Sequence, residues 1–408
     1  MKKWYKLDNV GKFYASTSNS IIPKVFRYSA YLYDEIDETI LQTSLNQTIK
    51  LFPNFNVNLK KGLFWYYLDE TLKPNKITKE NLPVCFKLYN NSDDYLYRVS
   101  YYKKKINLEV SHILSDGRGS AEFFKLLLTN YITNKYKLKN KLNTQNKSLL
   151  EKSEDSFLKY YKQVKNIKSD NSKTFHYKGK KLRNQTKYLE CFMNANDIVD
   201  LAHKYNTTVT ALLVAVLIYS FKDELKLSDL NKTIKIDLPV DLRNFYKSSS
   251  SMNFFGLTTI KYQFNSLDDE LEKIIKSVNE SFKNNITPEK LSKRANLMVS
   301  FEKNFFCRFS PIFLKNIVLN IADKISIQSS TSCLSNIGII NLDKDIEERI
   351  DAISVLTSTN TFQFSICTLK DKLCIGISSN YVNNDVIKNF CLFFANHTKM
   401  QINVSEVK

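Results

Sequence analysis

Glycine and proline are scarce in this chain, at 8 and 7 of 408 residues. So few leave little material for glycine-built phosphate loops or repetitive turn-rich architectures, and no repeat of solenoid period is present. The sequence contains no Gly-x-x-x-x-Gly-Lys-Ser/Thr, Gly-x-Gly-x-x-Gly, His-Glu-x-x-His or Gly-x-Ser-x-Gly. P-loop, dinucleotide-binding, zinc-protease and nucleophile-elbow signatures are thereby excluded. The seven cysteines are odd in number, scattered and never spaced as Cys-x-x-Cys, which reads as buried, reduced thiols, with no zinc site or disulfide frame. Long apolar runs are missing too. The most continuous, Ala211 to Phe221, falls short of the roughly 20 residues that span a bilayer. Met1-Lys2-Lys3-Trp4 is followed by no apolar h-region, so no signal peptide and a cytoplasmic location are expected.

What is abundant is hydrophobic and basic. With 43% hydrophobic and 13% aromatic residues, the chain has the composition of a globular protein with sizeable cores. Its length suggests two or three domains at roughly 150 residues each. The net charge of +19 would suit nucleic acid, an anionic membrane or an acidic substrate or carrier. Because the excess is mostly lysine, accompanied by much asparagine, isoleucine and tyrosine, a bias toward A+T-rich codons accounts for it equally well. Charge permits such partners and selects none.

Strand-like and helix-like stretches alternate along the chain. Helices are expected over 39–52, 119–136, 195–204, 208–225 and 385–397, with a mostly helical region at 267–324. Strands are expected over 55–59, 62–68, 84–89, 96–102, 106–112, 188–193, 233–239, 257–264, 333–342, 353–358, 362–369 and 373–379. Between 137 and 186 the composition turns to Lys, Asn, Ser and Gln, with some helix expected at 150–164. This reads as a connection between an N-terminal domain (1–170) and a C-terminal one (187–408). Two α/β sandwich domains follow from that pattern, with a ligand site at their interface.

Of the four histidines, His203 and His397 fall near helix C-termini, where a solvated imidazole is ordinary, and His176 lies in the polar connection. His112 differs. It closes the strand-like run Ile106-Asn107-Leu108-Glu109-Val110 and precedes Ser115-Asp116-Gly117 and a helix. Rigid elements hold a side chain at a strand end while loops give access to it. A lone His there is more often just a satisfied polar residue, and Asp-Gly is an ordinary turn or cap pair.

Ser111 to Gly117 resembles the His-x-x-x-Asp-Gly signature of the chloramphenicol-acetyltransferase-like superfamily, which includes plant BAHD acyltransferases, carnitine acyltransferases and peptide-synthetase condensation domains. Further stretches resemble it in the same order: Thr207 to Leu213, Ile236 to Arg243 with Asn253-Phe254-Phe255-Gly256, and Cys333-Leu334-Ser335-Asn336-Ile337-Gly338. Trp4 to Asn9 and Gly62 to Tyr67 are similar to a bacterial alcohol-acetyltransferase-like branch. The likeness covers the chain apart from 137–186, and the order of the motifs is more specific than any one of them.

The resemblance implies two CAT-like domains with a tunnel between them and an acyltransferase in which His112 is the general base. An imidazole of pKa near ~6.5 suits proton removal from an attacking hydroxyl or amine, a contribution of about 10²–10⁴-fold. It implies that Asp116 turns away to pair with Arg243 and shapes the loop, and that Gly117 lets substrate approach. Ser335 and Asn336 are candidate donors to the oxyanion, although two polar residues ending a strand before Gly338 need no such role. No tightly bound cofactor and no metal are expected. The co-substrate would be an acyl-CoA or an acyl-carrier-protein thioester, the acceptor a small alcohol or amine. Ser111 stands where condensation domains carry a second His, which weakens peptide-bond formation as the role. The BAHD Asp-Phe-Gly-Trp-Gly motif is absent. A condensation-type enzyme served by an acidic carrier, and a non-catalytic binding module of the same fold, are the rival readings. A nucleic-acid binder would rest on charge and Tyr101 to Lys105 alone and is not expected, nor is a transmembrane segment.

Overall fold

A computed structural model describes residues 3–73, 75–139, 153–164, 170–398 and 403–407. In chain order the strands are β1 (Trp4–Lys6), β2 (Val25–Leu32), β3 (Val57–Lys61), β4 (Tyr66–Glu70), β5 (Thr78–Lys79), β6 (Tyr97–Tyr102), β7 (Lys105–Ser111), β8 (Lys187–Asn194), β9 (Ile234–Asp241), β10 (Phe255–Tyr262), β11 (Ser332–Ile339), β12 (Ile350–Thr357), β13 (Phe362–Leu369), β14 (Lys372–Ser379) and β15 (Asn403–Val407). The helices are α1 (Asn9–Thr17), α2 (Glu38–Leu51), α3 (Gly117–Tyr136), α4 (Ser156–Lys159), α5 (Ala195–Lys204), α6 (Val209–Ser220), α7 (Leu271–Asn285), α8 (Pro288–Lys303), α9 (Phe305–Phe309), α10 (Ile312–Gln328), α11 (Lys344–Glu347) and α12 (Asp385–His397).

Among the described residues there are three sheets: β12-β2-β7-β6-β5, β10-β9-β11-β13-β14-β8-β15 and the small β1-β4-β3. The first carries α2 and α3 over a core that includes Phe55, Phe123, Phe124 and Tyr131. The second covers α6, whose residues Leu212 to Ile218 are fully buried. That burial explains an unbroken apolar segment in a folded core, each such side chain contributing about 1.5–3 kcal/mol. No single described helix is long and apolar enough to cross a membrane. Segments 195–204 and 209–224 meet that test only as a pair, and the pair is bent by 79°.

The two halves do not divide cleanly at 137–186. Strand β12, from late in the chain, pairs antiparallel with β2 in the first sheet. There the Ser354 hydroxyl meets the buried Glu190 carboxylate of β8, which Tyr31 of β2 also reaches. This strand stitches one sheet to the other.

Residues 84–89, expected as a strand, form none. Cys85 takes a left-handed φ of 54°, and its N–H donates to the Glu109 carboxylate at 2.7 Å in place of a ladder carbonyl. The helix expected at 150–164 is a single turn, α4, in its described part, and 150–152 lie outside the described residues. Elements β1, α1, β2, β5, α11 and β15 had not been expected.

Candidate active site

His112 stands one residue beyond β7, where the ladder with β2 ends at Val25 and Ser111. Its N–H donates to the Lys24 carbonyl at 2.9 Å. From the other half, the Asn253 side-chain amide donates to the His112 carbonyl at 2.9 Å. The imidazole packs against two rings, with centroids 4.5 Å from Phe26 and 5.4 Å from Tyr14. Its Nδ1 is buried with no bonded partner. Loss of hydration pushes its pKa down to about 4; the Lys24 ammonium acts in the same sense, while Asp116 and Asn253 oppose it. The ring is therefore neutral at pH 7, with a lone pair free to accept a proton.

Asp116 directs neither oxygen to that ring. One accepts from the Gly119 N–H at 2.7 Å, capping α3. The other accepts from the Phe254 N–H at 2.7 Å and from Arg243 Nη1 at 2.9 Å. Arg243 also bonds Asp241 and the carbonyls of Ser250 and Met252, so a single guanidinium gathers the 250–254 loop onto the His112 turn. The fit is close. A Cβ on Gly119 would lie 2.2 Å from the Ser251 carbonyl oxygen, and one on Gly117 would lie 2.7 Å from Ile337 Cδ1.

That second contact places β11 beside the turn. Its side chains alternate: Leu334 enters the core with α6, and the Asn336 amide donates to Thr210 of α6 at 2.8 Å. Asn336 Oδ1 also accepts from the Gly338 N–H at 2.9 Å, across a bulge where Gly338 has φ 85°. Asn336 is thus occupied in shaping the strand. Ser335 takes the opposite face, that of Cys333. Of the two candidate oxyanion donors, Asn336 is thus committed to Thr210 and to its own strand.

No family model matches the sequence, and no curated protein matches it by sequence. Solved structures do match by fold. Polyketide synthase associated protein 5 of Mycobacterium tuberculosis has a TM-score of 0.65 at 10% identity, over 95% of this chain and 96% of that one. The trichothecene 15-O-acetyltransferase of Fusarium sporotrichioides gives 0.63 at 12% identity, over 96% and 95%. TRI101 of F. sporotrichioides, solved with coenzyme A and T-2, gives 0.62 at 9% identity, over 95% and 97%. The first condensation domain of the CDA synthetase is similar over 98% of this chain. The chain shares the two-domain CAT-like fold of these proteins.

Within this CAT-like fold, several residues around His112 had carried no expected role. Tyr14 and Phe26 pack against the imidazole. Lys24 pairs with Asp323 of α10 at 2.9 Å next to it. Asp8 caps α1 through the Gly11 N–H and accepts from Asn253, so it supports the His112 carbonyl at one remove. Burial, with Asp155 adding, raises the Asp8 carboxyl to about 7. Asp8 before a helix is a legible cap signal; its tie to Asn253 is not, because it spans the chain.

Proposed function

We propose that the protein moves an acyl group from a thioester to a hydroxyl or amine, with His112 as general base. The observation that carries this reading is the His112 imidazole packed against Phe26 and Tyr14 and held by contacts from both halves at the meeting of the two large sheets, with burial favouring its neutral form. Such preorganisation suits proton removal from an acceptor as it attacks the thioester carbonyl, with direct transfer and no acyl-enzyme. The tetrahedral intermediate would place its oxyanion near the Ser335 hydroxyl, and a donor of that kind contributes roughly 10²–10³ in rate. Asp116 and Arg243 hold the loop and take no proton.

Coenzyme A is the donor carrier favoured here, because TRI101, of the same fold, was solved with it. A carrier-protein donor is the second reading, favoured by the likeness to a condensation domain and by the net charge of +19. All seven cysteines are free thiols, which supports a reducing compartment such as the cytoplasm.

The test is mass-spectrometric product detection with a panel of acyl-CoAs, alcohols and amines, comparing wild type with His112→Ala and Ser335→Ala. Product is expected from wild type, none from His112→Ala and about a hundredth of the rate from Ser335→Ala. Equal turnover by wild type and His112→Ala would refute the base. Product only from acyl-carrier donors would establish the second reading.

A further inference from the structure

Helix α10 is turned inside out. Its polar side chains point into the protein: Lys315 reaches the Phe64 carbonyl, Asn316 the Tyr66 hydroxyl, Asn320 the Ser16 carbonyl and Asp323 the Lys24 ammonium. Its apolar side chains point out. Phe313, Ile317, Val318, Ile321 and Ile325 form a stripe at helical spacing, each more than half exposed. Before it, α9 adds Phe305, Phe306 and Phe309, with Phe306 79% exposed. Phe309 meets Phe64 edge-on at 6.1 Å, so the loop bearing the exposed Leu63 continues the same surface. Together these side chains offer on the order of 1,000 Å² of apolar surface, against the roughly 300–600 Å² of the largest patch on a typical monomer.

The exposed charges within 301–328 are of one sign. The two acids between 301 and 328 are Glu302 and Asp323; both are drawn inward, onto Lys12 and Lys24. The exposed charges are Lys303, Arg308 and Lys324. A second copy packed face to face would set these three cations against themselves.

We propose that α9 and α10 form a docking surface for an anionic lipid bilayer, lying in its headgroup–acyl boundary. An apolar stripe bordered by lysine and arginine is what such a boundary rewards, through apolar insertion and attraction to acidic headgroups. The protein lies on the membrane and does not cross it. The inner side of α10 is one ion pair from the His112 turn, since Lys24 both pairs with Asp323 and accepts the His112 N–H. Docking therefore brings the candidate active site to lipid-dissolved substrates. The binding itself does not rest on the acyl-transfer reading.

The test is co-sedimentation of the full chain with phosphatidylcholine vesicles, with and without phosphatidylglycerol, at low and raised salt. Wild type is expected to bind the anionic vesicles at least about tenfold more tightly, and less so in salt. Phe306→Ser with Ile317→Ser should lose at least about tenfold, as should Lys303→Glu with Arg308→Glu and Lys324→Glu. All these positions are exposed, and unchanged urea midpoints would confirm folding. No binding to anionic vesicles, or binding undiminished by the serine pair, overturns the proposal. A dimer that the serine pair dissolves, without vesicle binding, overturns it in favour of a second copy.

Discussion

Replacing Asp116 by alanine removes three bonds at once. The Gly119 N–H loses its cap, which costs about 0.5–2 kcal/mol. The Phe254 N–H, buried at the loop it anchors, is left unsatisfied at about 1–3 kcal/mol. Arg243 retains Asp241 and its backbone carbonyls, so its charge is not stranded. The sum, about 1.5–5 kcal/mol, overlaps the roughly 3–5 kcal/mol for breaking a buried ion pair and is a large fraction of the roughly 5–15 kcal/mol that holds a domain folded. Asp116→Ala should therefore lower the urea midpoint markedly and abolish activity with it. His112→Ala should abolish activity and lower the midpoint by less than Asp116→Ala does, since Asp116 and Arg243 still hold the loop. The assay is urea unfolding followed by fluorescence, alongside product formation. An Asp116→Ala protein with an unshifted midpoint and no activity would refute the reasoning, because Asp116 would then act in the chemistry.

Other outcomes follow from the same geometry. His112 must be neutral to act, and its pKa is held at about 4, so kcat/KM should stay level as pH falls through 6.5 and decline only toward pH 4. Lys24 depresses that pKa, so Lys24→Met should move the acid limb upward; a limb at 6.5 in wild type would contradict the burial argument. The same shift makes His112 a drain on stability in acid. Below 6.5 the unfolded chain binds a proton that the native ring refuses, so this group's contribution falls between pH 6.5 and about 4. Asp8 works oppositely: its folded carboxyl, raised to about 7, favours the native state below about 4 and loses that contribution as pH rises toward 7. Asp8→Asn should therefore flatten the loss of urea stability between pH 5 and 7. Gly119→Ala should destabilise by more than the ordinary 1–3 kcal/mol of overpacking, because the obstacle is the Ser251 backbone; a wild-type midpoint would show that the loop yields.

The turn bearing His112 was legible because it is local: a strand, a Gly-containing turn and a capped helix adjoin in sequence. The neighbouring strands β6 and β7, which pair antiparallel, and the helix at 385–397 were legible for the same reason. Strand β2 was not. It is buried on both faces, so Arg27 and Ser29 interrupt what alternation would require, and they are tolerated because Glu109 and Asn107 answer them across the sheet. The region 84–89 failed where a carboxylate distant in sequence captured a backbone N–H. Helix α10 was expected as a helix, but periodicity assigns an apolar stripe to the core, and only the structure shows it facing out. Ser335 and Asn336 looked equivalent in sequence; the pleat and Thr210 separate them.

Strand β12 has a further consequence, in time. A ribosome adding about 5–20 residues per second releases Ile350 on the order of 10–50 s after Ser111. Through that interval β2 has no neighbour on one side, and its unpaired edge, with Phe26 and Tyr28, is open to other chains. The first sheet is completed only after Thr357 has been made, so the His112 turn matures long after its own residues emerge and the nascent chain needs shielding until then.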